Sequence, residues 1–306
     1  MNSKDLAQPA DPLIRRVLCI VHNPRMPGRG DKLSKTMHWR DPDELASRFI
    51  EDVRDCSHGR AVYQVTHRIE VDGFPAKADG FSYTPESYMA GMRGKGFHQP
   101  DGVDYHELLR EFDILRLVRE DEIDEVWLFG FPYAGYYESI MAGPGAFWCN
   151  APPLEGTESS ERRFVIMGFN YERGLGEMLE DLGHRAESIL TRVFRDAGGY
   201  ELFERFTRHE ARDPGRAEVG TVHFAPNSLT DYDWGNPRKV LSRCDTWYAF
   251  PDLTGEPRQV DATEWGRGDI RLHHLWWFRH FPHFVGSTHG HLNDWWSYVL
   301  DPGLVD

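Results

Sequence analysis

Across 306 residues, 35 Lys and Arg stand against 49 Asp and Glu, a formal charge of −14 with histidines neutral. Polyanion binding draws on clustered cations that release counterions. Here the basic residues are outnumbered and scattered as pairs such as Arg15/Arg16 and Arg162/Arg163, which argues against a general nucleic-acid binder. At 40 % hydrophobic and 27 % charged the composition is that of a folded globular protein, of one large domain or two.

No window reaches the roughly 18 to 20 uninterrupted apolar residues of a membrane helix. The N-terminus, MNSKDLAQPADPLIRR, has no apolar stretch before a small-residue cleavage site, so the expected location is cytoplasmic. Cys19, Cys56, Cys149 and Cys244 lie far apart without a CxxC pair, which reads as buried or idle thiols.

In chain order, residues 1–13 are polar with two prolines and read as a flexible arm. Ile14 to His22 reads as a buried strand, stopped by Asn23-Pro24 and followed to about Lys35 by a stretch without periodicity. Asp43 to Cys56 carries Leu45, Phe49, Ile50 and Val53 on one helical stripe. Ala61 to Val71 alternates as a strand, Tyr105 to Val118 makes a second helix, and Glu125 to Phe131 and Arg163 to Phe169 are apolar strands. A long helix is expected from about Tyr171 to Arg195. Strands alternating with helices predict an α/β fold, doubly wound on a mostly parallel sheet, over 14–197. Residues 198–306 hold seven of the ten tryptophans and read as a His/Trp-rich, irregular extension packed around the same domain.

Ligands of such sheets gather at the carboxyl ends of the strands. That rule nominates His22, Asn23, Tyr133, Tyr137, Glu138 and Asn170 as substrate-binding residues, with Glu172 beside them as a proton carrier. The stretch from Asn170 to Leu190 is the most informative. At about 100° per residue, Glu177, Glu180, His184 and Glu187 fall within roughly 80° of one another, opposite Leu175, Met178, Leu179, Leu182 and Ile189. Glu and His at these spacings suit a divalent metal, with Glu177, His184 and Glu187 as ligands and Glu177 also catalytic. A solvated acidic face and a buried polar network are the alternatives. Gly174, Gly176 and Gly183 each cost about 1 kcal/mol in a helix, so something tertiary must press closely on it.

Four histidines fall between His273 and His283, and His280 is a further candidate, although His/Trp packing explains this run as well. His223, followed by Asp231-Tyr232-Asp233-Trp234, suits the lining of a polar site through His223, Asp231 and Trp234, or a tight surface loop. GxGxxG, GxxxxGK[ST], GxSxG and HExxH are all absent.

In Phe129 to Pro153, Phe169 to Ser188 and Arg271 to His283, and on to Asn293-Asp294-Trp295-Trp296, the chain resembles an uncharacterised bacterial family. Its members often occur as secreted proteins with immunoglobulin-like or fibronectin-like modules. The resemblance implies work on extracellular peptide or glycan polymers and supplies no residue role. This chain departs from it in lacking such modules and a leader.

The leading expectation is a metal-dependent hydrolase of an amide or glycan-type bond, zinc being the first guess because imidazole plus carboxylate suits it. A further ligand would come from His22, His223 or His280. A non-catalytic carbohydrate-binding module using Tyr133, Tyr136, Tyr137, Trp234, Trp276 and Trp277 is the alternative. A polar network tying the C-terminal third to the sheet is a third reading.

Overall fold

In the computed structural model, residues 8–28, 30–195 and 201–306 are described. The first seven residues of the expected arm and the expected 197/198 boundary lie outside them. The elements are β1 (Leu13–His22), α1 (Leu33–Thr36), α2 (Pro42–Cys56), β2 (Ala61–Val71), α3 (Pro85–Ala90), α4 (Tyr105–Glu111), α5 (Ile114–Arg119), β3 (Glu125–Gly130), β4 (Ser139–Ala142), β5 (Phe164–Asn170) and α6 (Leu175–Phe194). After them come α7 (Leu202–Phe206), β6 (Val240–Ser242), β7 (Arg258–Val260), α8 (Ile270–Arg279), β8 (His283–Thr288), β9 (His291–Asp294) and α9 (Trp295–Leu300). The described residues form two compact units, one within 15–49 and 63–182 and one within 8–14, 50–62, 183–195 and 201–306, with the partition inside α6.

The first unit is built on a mixed five-stranded sheet of order β2-β1-β3-β5-β4, an α/β arrangement. β1, β3 and β5 run parallel, with Leu18 opposite Val126 and Val126 opposite Ile166, and β4 is an antiparallel edge. A strand buried on both faces needs apolar residues at every position. β3 satisfies this. Val126 and Leu128 pack with Leu18, Ile20 and Ile166 and with Leu108, Leu109, Leu117 and Val118 from α4 and α5. Trp127 on the other face meets Phe49 of α2 at 5.4 Å and Phe169 at 5.8 Å. The single helix expected from Tyr105 to Val118 is two, because Asp113 between them adopts a left-handed φ of 52°. The edge strand β4 is not among the predicted strands, since its four buried residues carry no period-2 signal. At the amino end of β3 the buried Asp124 accepts from the Arg16 backbone at 2.7 Å and from its guanidinium at 2.9 Å.

The second unit centres on aromatic rings. Phe206 of α7 lies 5.0 Å from Trp247, 5.9 Å from Trp277 and 5.3 Å from each of Phe281 and Trp295. Trp247, Trp265, Trp277, Trp295 and Trp296 are all fully buried, so this tryptophan-rich region has a core of its own. The expected loose arm is tied down over its last residues: Ala10 donates to the His283 carbonyl and Val285 to that of Gln8, which makes residues 8–10 a partner of β8. Among the described residues no helix is long and apolar enough to cross a membrane.

Candidate metal centre

The two histidines of interest, His184 and His223, lie in the second unit, where the segment 220–224 meets α6. A methyl group on Gly183 would fall 2.6 Å from Val222 Cγ2. The helix thus carries a glycine because the segment approaches too closely for any other residue, and His223 lands beside His184. Glu187, one turn on, accepts the Val222 amide at 2.9 Å and fastens the segment to the helix. Gly220, at a φ of 95°, starts the tight turn, and Thr221 Oγ1 accepts the amides of His223 and Phe224.

Three carbonyls of this segment are engaged by the aromatic third of the chain. Trp277 Nε1 donates to the Gly220 carbonyl at 2.9 Å and Trp234 Nε1 to that of His223 at 2.9 Å, and His274 Nε2 lies 3.2 Å from that of Val222. Trp234, Trp277 and His274 thereby form a clamp on the segment that carries His223.

The two imidazoles meet edge to face, their planes 82° apart, with Nε2 to Nε2 at 3.1 Å. Behind each ring stands a carboxylate: Glu187 Oε2 is 3.4 Å from His184 Nδ1, and Asp231 Oδ1 is 3.0 Å from His223 Nδ1. An ionised carboxylate only accepts, so each Nδ1 is set to donate, and in a neutral ring this leaves Nε2 as the lone-pair nitrogen. Tyr232 OH lies 2.9 Å from His223 Nε2. One turn before His184 on the same helix, Glu180 brings a carboxylate oxygen within 4.8 Å of the imidazole's ligand atom, and His184 and His223 meet the same limit. The loop bearing Asp231 and Tyr232 is held at its base by the buried Asn227, whose amide donates to the carbonyls of Asn236 and Arg238.

Of the ligands expected from sequence, His184 and Glu187 are brought together here and His223 joins them. Glu177 is engaged elsewhere, because its Oε2 accepts the Gly174 amide at 3.0 Å and caps the start of its own helix. Trp234 is buried and packs against His273 at 4.6 Å and His274 at 5.3 Å. His280 belongs to a different group, with Cys244 and Asp245, whose ligand atoms lie within 4.8 Å of one another. Its Nδ1 is 2.8 Å from the Trp276 carbonyl, and burial lowers its pKa to about 4. Asp245 in that group is held by both Nε and Nη2 of Arg258, at 2.5 and 2.8 Å, so a guanidinium already sits where a metal would need the carboxylate.

The residues nominated in the sheet unit serve mainly local structure. His22 Nδ1 is 2.7 Å from Tyr136 OH, and burial lowers its pKa to about 4. Asn23 and Ser34 bond reciprocally at 3.0 Å. Tyr133 stacks on Phe97 at 3.6 Å, and its carbonyl accepts from the buried Lys77. Tyr137 stacks on Tyr105, Glu138 accepts from Asn150, Asn170 accepts the Glu172 amide, and Glu172 pairs with Arg173 at 3.2 Å. Tyr133 and Tyr137 are exposed, whereas Trp234, Trp276 and Trp277 are inside the protein, where they offer no face to a sugar ring.

Two neighbours of the histidine pair, and the buried Asp181 elsewhere on α6, are not singled out by sequence alone. Glu180 sits on the right stripe but does not stand apart from its acidic neighbours. Tyr232 is visible only as part of an acidic-aromatic run. Asp181 is buried, and burial, then Glu138, Glu180 and Glu177, push its pKa well above the usual carboxylate range. Compared with family models, curated proteins and solved structures, the chain matches none.

Proposed function

We propose that the protein is a metal-dependent hydrolase that holds zinc or a related divalent ion at His184 and His223 and acts on an amide (peptide-like) or glycan-type bond. The observation that carries the reading is the facing of the two Nε2 atoms at 3.1 Å, each ring backed by a carboxylate at Nδ1. Zinc binds imidazole nitrogen at about 2.0–2.1 Å, so two nitrogens sharing one ion stand roughly 3.0–3.4 Å apart. The pair needs no rearrangement to meet that spacing.

In this reading Glu180, one turn ahead of His184, is the third ligand. Glu187 and Asp231 fix the tautomer and orientation of the two rings and raise their basicity, as carboxylates behind ligating histidines do. The ion would supply a hydroxide nucleophile from bound water and polarise the scissile bond. Glu177, occupied in capping α6, and Glu172, paired with Arg173, are given no part in it.

The test is turnover of peptide and polysaccharide mixtures by zinc-loaded protein, set beside His184→Ala and His223→Ala. Zinc-dependent hydrolysis lost in both variants supports the reading. Absence of zinc-dependent turnover on either class of polymer, or turnover indifferent to both substitutions, overturns it.

A further inference from the structure

We propose that Tyr232 is a ligand of the same ion and closes its coordination shell in the resting protein, so that the side chain must leave before water or substrate can enter. This inference rests on the metal reading above and adds to it how access to the ion is controlled.

The first support is spacing. Tyr232 OH stands 2.9 Å from His223 Nε2, as His184 Nε2 stands 3.1 Å from it. The second matches the spacing given above and the first lies just below it, a ligand–ion–ligand angle of about 90° at metal–ligand bonds of roughly 2.0–2.2 Å. The second is the count of lone pairs. With Asp231 at its Nδ1, a neutral His223 ring has its lone pair at Nε2, which lies 3.1 Å from His184 Nε2 and 2.9 Å from Tyr232 OH. A cation placed among these three atoms would accept one lone pair from each of the two nitrogens and from the phenolic oxygen. The third is the backbone. Tyr232 holds a φ of 58°, the left-handed region that an aromatic residue rarely occupies, and its amide donates to the His223 carbonyl at 3.1 Å. Strain of this kind persists where the surroundings impose it and gathers at functional sites. Here it places the ring 4.3 Å from His223.

Tyr232 differs from the two histidines in being half exposed, at 50 %. It can swing outward without disturbing the core. A hydrolytic metal site needs an open position for water, and with His184, His223 and Glu180 in place Tyr232 occupies the position that must open.

The experiment is titration of the full chain with zinc, and separately with cobalt(II), for wild type and Tyr232→Phe, which keeps the ring and its packing. The expected result is one ion bound by each protein, with zinc affinity at least about tenfold weaker in the variant and the visible cobalt bands altered. If wild type binds one ion and the variant matches it in affinity and cobalt spectrum, Tyr232 is no ligand while the metal reading stands. If wild type binds neither zinc nor cobalt, the metal reading falls and this inference with it.

Discussion

His184 and His223 approach Nε2 to Nε2 at 3.1 Å although each has its other nitrogen against a carboxylate. With Nδ1 as the donor, neutral rings would turn their Nε2 lone pairs on one another, an arrangement that a bound cation makes favourable. Much of the second unit serves to hold this approach: a glycine in the helix, a carboxylate on the Val222 amide, and indole donors on the neighbouring carbonyls.

Removing the carboxylates behind the rings weakens the centre without abolishing it. Glu187→Gln and Asp231→Asn are each expected to lower zinc affinity about 10- to 100-fold at unchanged stoichiometry. Competition against a chelator of known affinity measures this.

Gly183→Ala separates helix propensity from packing. In an exposed helix the exchange would stabilise by about 1 kcal/mol. Here the new methyl falls 2.6 Å from the β-branched, buried Val222, which has little room to yield. A net loss of about 1–3 kcal/mol is expected, with zinc affinity falling too as His223 is pushed from His184. Denaturant unfolding and zinc titration of the variant report the two effects.

Acid should destabilise the protein well above the carboxylate range. His22 and His280 are both lowered by burial to about 4 from an ordinary value of 6.5. Between those values the unfolded chain takes up protons that the folded chain refuses, so stability rises with pH through the window and the penalty is complete below about 4. Each group contributes up to about 3 kcal/mol across it. Unfolding free energies at pH 7 and pH 5 measure the slope, and His280→Asn should flatten it.

Asp124 acts in the opposite sense and at lower pH. Despite burial, hydrogen bonds from Arg16 lower its pKa to about 2 from 3.8. Its stabilisation is therefore fully present above 3.8 and lost as pH falls through about 2. Asp124→Asn is expected to cost about 2 kcal/mol at pH 7 and much less near pH 2, as read from denaturant midpoints at both values.

The α/β unit is legible in the sequence because β1, β3 and β5 announce themselves as apolar runs and α2 as a periodic stripe. The four-residue edge β4 and the break at Asp113 depend on tertiary context that periodicity does not carry. The stripe on α6 is legible too, since helical geometry alone sets His184 beside Glu180 and Glu187. Which carboxylate does what is not: Glu177 lies on the stripe yet caps the helix, a choice made by the backbone at Gly174. The partnership with His223, 39 residues on, hinges on the Gly183–Val222 approach, for which the only trace in sequence is a glycine in a helix that has no local need of one. The unit that holds this centre also draws on residues 50–62, a composition that no boundary in the sequence marks.

The most direct test is the metal content and zinc titration of protein purified without a histidine tag, beside His184→Ala and His223→Ala. One zinc per chain in the wild type, lost in both variants while the fold persists, is the expected outcome. Wild-type protein that takes up no zinc after reconstitution, with His184→Ala merely less stable, would contradict the metal reading and leave the two imidazoles as a structural polar tie.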